Sequence, residues 1–360
     1  MRPVHYLAVF IPAAIALELA HASPVLVFGA AALGVIPCAA VMGEATEAIA
    51  AKSGPGIGGL LNVTFGNAPE LIIAFFALLE GLQEVVKASI VGSIIGNILL
   101  VLGAAMVAGG VKRKKQTFSA TAANSQSEML LLALAALILP AVFQLIHGGS
   151  LPNVGEERVA FGPELEKLSF AVAVVLIVSY GAGLLFSLRT HRRVFNPYEE
   201  VEGEEGKGWT MRRAVVQLAV AAVLVGVTSE LLVGSVSEAS KEIGLSEFFV
   251  GVFVVAIVGN AAEHWVAVSA AVKDKMDLSV NIAIGSSAQI ALFVAPVLVI
   301  LSFFFGPYPL SLVFNGYELA GLIAAVLIAN FLASEGESTW FEGVQLLALY
   351  AVLGFVFAFA

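Results

Sequence analysis

A chain of 360 residues that is 59% hydrophobic, only 12% charged and carries a formal net charge of −9 is not an ordinary soluble domain, which has about twice that charge. So much apolar surface cannot be hidden in a water-soluble core of this size, and the bilayer must be the solvent. A single cysteine, Cys38, excludes a disulfide framework or a thiolate metal cage within the chain, and basic residues in short loops without aromatic interleaving give no footing to nucleic acid.

Apolar runs of roughly 20 residues, the length that spans a hydrocarbon core, predict an all-α polytopic membrane protein of eleven transmembrane helices. The first, 4–21, has the look of a signal peptide with an AHAS cleavage site. The many spans that follow favour a retained helix. The second, 24–51, ends in GEATEAIA, which holds Glu44 and Glu47. The third, 57–80, is interrupted by GNAPE at 66–70. The fourth, 84–110, contains GSIIGN at 92–97 and leads into Lys112–Arg113–Lys114–Lys115. The fifth and sixth, 125–147 and 164–189, precede an acidic segment at 191–211. That segment holds Glu199, Glu200, Glu202, Glu204 and Glu205 and reads as a solvated linker, with cation sensing as the alternative. The seventh, 212–240, carries Glu230 at depth and Glu238 near its end. The eighth, 246–272, contains GNAAEH at 259–264, and the ninth, 277–305, contains GSSAQ at 285–289. Helices at 316–333 and 340–359 complete the set.

With this count, 14 of the 18 basic residues fall on the side of the amino terminus. Lys and Arg concentrate in cytoplasmic loops, so the amino terminus is expected in the cytoplasm, and the compact loops suggest a prokaryotic plasma membrane. A shift of 193 positions carries Gly66, Asn67, Ala68 and Glu70 onto Gly259, Asn260, Ala261 and Glu263. Without a gap it also carries Glu84 onto Asp277, and Gly92–Ser93 onto Gly285–Ser286. The third helix thus matches the eighth, five helices on. Five is odd, so the copies run in opposite directions. The expected organisation is an extra helix at 1–22, a first repeat at 23–190, the acidic cytoplasmic linker at 191–211 and an inverted second repeat at 212–360. Inverted repeats with broken helices mark secondary transporters that bind substrate near the midplane.

Glu70 and Glu263 are the principal candidates. A charge at the bilayer centre costs at least about 2.5–3.5 kcal/mol, so protons or a cation must neutralise the pair. The plainer reading is a hydrogen-bonded glutamate that ties helices together. Gly66–Asn67 and Gly259–Asn260 are expected to break their helices and free backbone carbonyls, although the glycines alone would also permit close helix packing. Pro69 reads as a kink without a ligand role. Carboxylates plus carbonyls make an all-oxygen site suited to a hard cation such as Ca²⁺; zinc or copper would want more His or Cys than the lone His264 nearby. On the facing helices, Ser93 and Ser286 are equivalent, and Asn97 and Gln289 each lie on the next turn, where either amide can reach a cation directly or through water. Glu44, Glu47 and Glu230 line a path or lie in the headgroup region. His264 gates protons or simply packs.

GNAPELIIAFFAL at 66–78, GNAAEHWVAVSAA at 259–271 and GSSAQIALFVAP at 285–296 resemble the calcium/proton antiporter (cation exchanger) family of the calcium/cation antiporter superfamily, over nearly the whole chain. The resemblance implies eleven helices, Glu70 and Glu263 as the central calcium and proton carboxylates, and contributions from the Gly66–Asn67 and Gly259–Asn260 backbone. Proline at 69, where the family often has Thr or Val, is similar to sodium-coupled relatives. The expectation is exchange of cytoplasmic Ca²⁺ for external H⁺ by alternating access, with Ca²⁺ as cargo and no cofactor. The alternatives are Na⁺/Ca²⁺ or K⁺(Na⁺)/H⁺ antiport, an ion channel, or an intramembrane metallo-hydrolase built around Glu263–His264.

Overall fold

The computed structural model describes residues 3–53, 61, 64–155, 161–187 and 208–360. A 3₁₀ segment, Pro3–Val9, leads into α1 (Phe10–Leu19). Then come α2 (Pro24–Ser53), α3 (Ala68–Leu79), α4 (Gln83–Gly110), α5 (Ala120–Ile146) and α6 (Pro163–Leu185). After the acidic segment, of which 191–207 lie outside the described residues, come α7 (Met211–Ile243), α8 (Glu247–Val272), α9 (Met276–Ser302), α10 (Gly316–Glu335) and α11 (Trp340–Ala358). Among the described residues nine helices are long and apolar enough to cross a membrane, and Val4–Leu19 and Ala68–Leu79 are shorter apolar helices.

Local chemistry sets the helix ends. α5 begins at Ala120, earlier than the expected 125, because the Ser119 hydroxyl accepts the Ala122 N–H. α7 runs on to Ile243 and stops at Gly244, whose φ of 79° suits glycine. Asn315 with Glu318, and Thr339 with Glu342, form capping boxes that start α10 and α11.

The described chain divides into two compact units, each built from helices of both sequence halves. The first comprises residues up to Phe76, Gly181–Leu245 and Val258–Ala262. In it α2 packs along α7, with α1 against α2. Its core gathers Ile11, Cys38, Met42, Ala68, Ala221 and Val225. Buried hydroxyls bond back into their own helices, Thr46 to the Met42 carbonyl and Thr228 to that of Leu224, each at 2.8 Å. This satisfies a polar group without exposing it to lipid.

The second unit comprises Ala77–Tyr180, Ser246–Ile257 and Glu263–Ala360. α9 packs on α5 and α4, α10 on α5, and α11 along the second half of α4. α4 and α9 are the most enclosed spans of this unit, and α6 and α11 the least. A two-stranded antiparallel pair, β1 (Gln116–Thr117) with β2 (Glu337–Ser338), ties the segment after α4 to the one before α11. Small residues set the helix crossings, as is usual where lipid removes the hydrophobic drive between helices. A Cβ on Gly92 would collide with the Val252 backbone, and one on Gly251 would lie 2.7 Å from Ala88 Cβ. Gly343 stands against the Gly103 carbonyl in the same way.

Gly92→Ala should therefore destabilise the protein by about 1–3 kcal/mol, since backbone must move to admit one carbon. Gly29→Ala, with nothing within 4 Å, should have little effect. Thermal unfolding of the detergent-solubilised variants measures both.

Candidate cation-binding site

Glu70 stands in the first turn of α3. The chain is helical at 64–66, turns at Asn67 and restarts at Ala68, so the expected interruption is present here. Pro69 explains it. Proline has no N–H for a bond to residue 65, and its ring would clash with that carbonyl, so a helix cannot run through. At the second position of a new helix the missing N–H has no consequence. The restart is marked by the Leu71 N–H donating to the Asn67 carbonyl at 3.1 Å. Pro69 is thus a helix starter rather than a kink.

The second copy differs from expectation. Gly259 and Asn260 lie inside an uninterrupted α-helical stretch, Ala256–Val272. Ala262 replaces the proline and keeps its N–H, so nothing forces a break. The irregularity lies one turn earlier, in a π-helical segment at Val250–Val255. Further π segments occupy Gly96–Val101 in α4 and Ile290–Val294 in α9. The 193-residue shift carries 96–101 onto 289–294, so these two irregularities are repeat-equivalent. A π turn replaces an i→i−4 bond by a longer one, a distortion frequent at functional sites. Backbone irregularity therefore sits beside the predicted amides: Asn97 lies within one π segment, and Gln289 immediately precedes the other.

Within the first unit Glu70 is buried, with 9% of its surface exposed, and Asn67 and Asn260 are buried as well. Gly259 faces the Glu70 carboxylate directly. A Cβ built there would lie 3.5 Å from Glu70 Cγ and Oε1, and 3.6 Å from Ile73 Cδ1. The glycine leaves room for the acid. Gly66 closes the short helical turn before Asn67 and is half-buried.

Within the second unit the Ser286 hydroxyl donates to Glu263 Oε2 at 2.7 Å. Glu263 itself is only partly buried. Ser286 and its repeat partner Ser93 are both buried. Asn97 is 1% exposed, and its amide nitrogen has no hydrogen-bond partner among the described residues. His264 Nε2 is likewise buried without a partner among them.

The flanking acids are less convergent. Glu44 on α2 pairs with His5 Nε2 at 3.5 Å, while Glu47, Glu230 and Glu238 stand on exposed faces of their helices. The five glutamates at 199–205 lie outside the described residues. Among the described residues no three His, Cys, Asp or Glu side chains group as a metal cluster. Carboxylates here must draw on amides, hydroxyls and carbonyls for further oxygen. Sequence reasoning missed the π segments, which carry no composition signal, and gave no site role to Glu84 and Lys87, both of which are buried.

A duplicated acid, on α3 and α8, together with repeat-equivalent π segments in the membrane-length α4 and α9, defines a helical membrane protein of the inverted-repeat transporter class. The sodium/calcium exchanger protein family matches residues 23–189 and 213–359, and the chain belongs to that family. It is 44% identical to the Ca²⁺/H⁺ antiporter of Aphanothece halophytica, over 98% of this chain and 95% of that protein. It is 42% identical to the Ca²⁺/H⁺ antiporter ChaA of Bacillus subtilis (strain 168), over 96% of each. The solved structure of native YfkE superposes with a TM-score of 0.82 at 38% identity, covering 98% of both chains.

Ser286→Ala should preserve the fold and remove one charge-assisted bond to Glu263. Such bonds contribute about 1.5–3 kcal/mol, so cation affinity should shift by roughly ten- to a hundredfold. Gly259→Val should crowd the Glu70 carboxylate and lower affinity while thermal stability changes less. Equilibrium cation binding to the purified variants checks both.

Proposed function

We propose that the protein exchanges cytoplasmic Ca²⁺ for external H⁺, both competing for the carboxylates of Glu70 and Glu263. The observation that carries this reading is the duplicated acid, with Glu70 given space by Gly259 and Glu263 held by Ser286. Relatives named as Ca²⁺/H⁺ antiporters over nearly the full length support the choice of ions. Asn67, Asn260, Asn97, Gln289 and Ser93 supply further oxygen around the cation, and Gly66 supplies backbone. Each carboxylate oxygen is a good ligand for a hard cation when charged and none when protonated, so occupancy by one ion excludes the other.

The repeats at 23–190 and 212–360, with the helix at 1–22 as an addition and 191–211 as a cytoplasmic linker, supply the two arrangements that alternating access needs. The basic loops favour a cytoplasmic amino terminus, and the compact loops favour a prokaryotic plasma membrane. From the cytoplasm Ca²⁺ displaces protons from the pair. Access switches. Protons from outside then occupy the carboxylates and release Ca²⁺. Two unneutralised acids away from water are costly, so the empty carrier is slow to switch and the fluxes stay coupled. Such coupling requires that the two access states differ in ion affinity.

In inverted vesicles with an acidic interior, Glu70→Gln and Glu263→Gln should each abolish calcium uptake. Wild-type rates in either variant would refute the assignment, and flux that follows a Na⁺ gradient and ignores pH would replace the proton with sodium.

A further inference from the structure

A second oxygen-lined cluster lies in the second unit, away from Glu70 and Glu263 in sequence and unused by the mechanism above. Glu84 and Lys87 stand on the first turns of α4, and Glu318 on the first turn of α10. All three are buried, at 7%, 9% and 2% exposure. The Lys87 ammonium donates to the Val313 carbonyl at 2.8 Å. It interacts electrostatically with the carboxylates of Glu318 and Glu84, and it lies 5.6 Å from the centroid of the Phe161 ring. Glu84 Oε1 accepts the Gly155 N–H at 2.8 Å, and Glu318 Oε2 accepts the Asn315 N–H at 2.7 Å. Glu318 Oε1 is buried and has no hydrogen-bond partner among the described residues.

One buried ammonium therefore bonds a backbone carbonyl beside an aromatic ring and is attracted by two buried carboxylates. Carboxylate and carbonyl oxygens are the ligands of a hard cation, here with an excess of one negative charge if both acids are ionised. The inverted repeat gives a comparison. Asp277 is the repeat equivalent of Glu84, and it too accepts a backbone N–H from a segment distant in the chain, that of Ser119 at 2.5 Å. The position equivalent to Lys87 is Val280, an apolar residue. Anchoring a segment needs only the carboxylate, so the lysine serves something particular to the Glu84 end.

We propose that Glu84, Glu318 and the Val313 carbonyl form a second cation site whose permanent occupant is the tethered ammonium of Lys87. The lysine neutralises the acids, holds the segment before α10 against α4, and denies the place to a divalent ion. In the exchange cycle proposed above, on which only this last role rests, the effect is that released calcium meets no competing site at this end of α4.

The test uses purified full-length protein carrying Glu70→Gln and Glu263→Gln, so that binding at those acids does not mask the result. With Lys87 present, ⁴⁵Ca²⁺ binding should be weak. Adding Lys87→Met should tighten it by at least about tenfold. Lys87→Arg should not, because it keeps the charge, and adding Glu318→Gln to Lys87→Met should abolish the gain. If Lys87→Met does not survive extraction, the same titration is run on Lys87→Gln. A monodisperse lysine-free variant that binds no more calcium than its parent would overturn the proposal, as would a gain that survives Glu318→Gln. Calcium exchange that persists in the parent double variant would refute the transport assignment instead, while the increment between lysine and methionine still reads the second site.

Discussion

In hydrocarbon every unsatisfied polar group costs several kcal/mol, and this constraint shapes each distinctive feature of the chain. Backbone N–H and carbonyl groups are taken up by helices. Hydroxyls such as Thr46 and Thr228 bond back to their own turns. Among the described residues, departures from regular helix and buried charge are concentrated in a few places: the turn at Asn67, the three π segments, and the buried glutamates. A protein that needed only to span a membrane would have no use for them. In the proposed exchange cycle, oxygens held in these places are the ones offered to the cation.

The two copies reach this condition by different routes. In the first, Pro69 forbids a continuous helix and the chain restarts one residue earlier. In the second, Ala262 permits continuity, and the irregularity appears as a π segment before Gly259. The copies are thus alike in sequence but not in backbone geometry at this point. The correspondence is closer in α4 and α9, where the π segments fall within one residue of each other under the repeat shift. Glycine likewise serves two purposes. At Gly92, Gly251 and Gly343 it lets backbones approach, while at Gly259 it leaves room for a carboxylate.

The sequence alone was enough to determine the solvent and the class of fold, and it singled out the repeat and the two acids on which the proposed site rests. Hydropathy over membrane-length runs, and several matched landmarks within 28 ungapped positions, are strong signals because lipid tolerates so few alternatives. Among the described residues nine of the eleven expected spans meet helices long enough to cross a membrane, while the first and third meet the shorter Val4–Leu19 and Ala68–Leu79; ends are shifted where caps such as Ser119 or a terminator such as Gly244 act locally. Only the tertiary structure decided the rest. A π turn arises where packing favours an extra residue in the helix, and no residue type announces it. The partnership of Glu263 with Ser286 joins residues 23 apart on different helices. Nothing in the sequence joins Lys87, Glu84 and Glu318 to one another. They became a buried cluster because α10 and the segment before it fold over the start of α4, and that depends on contacts more than 200 residues apart.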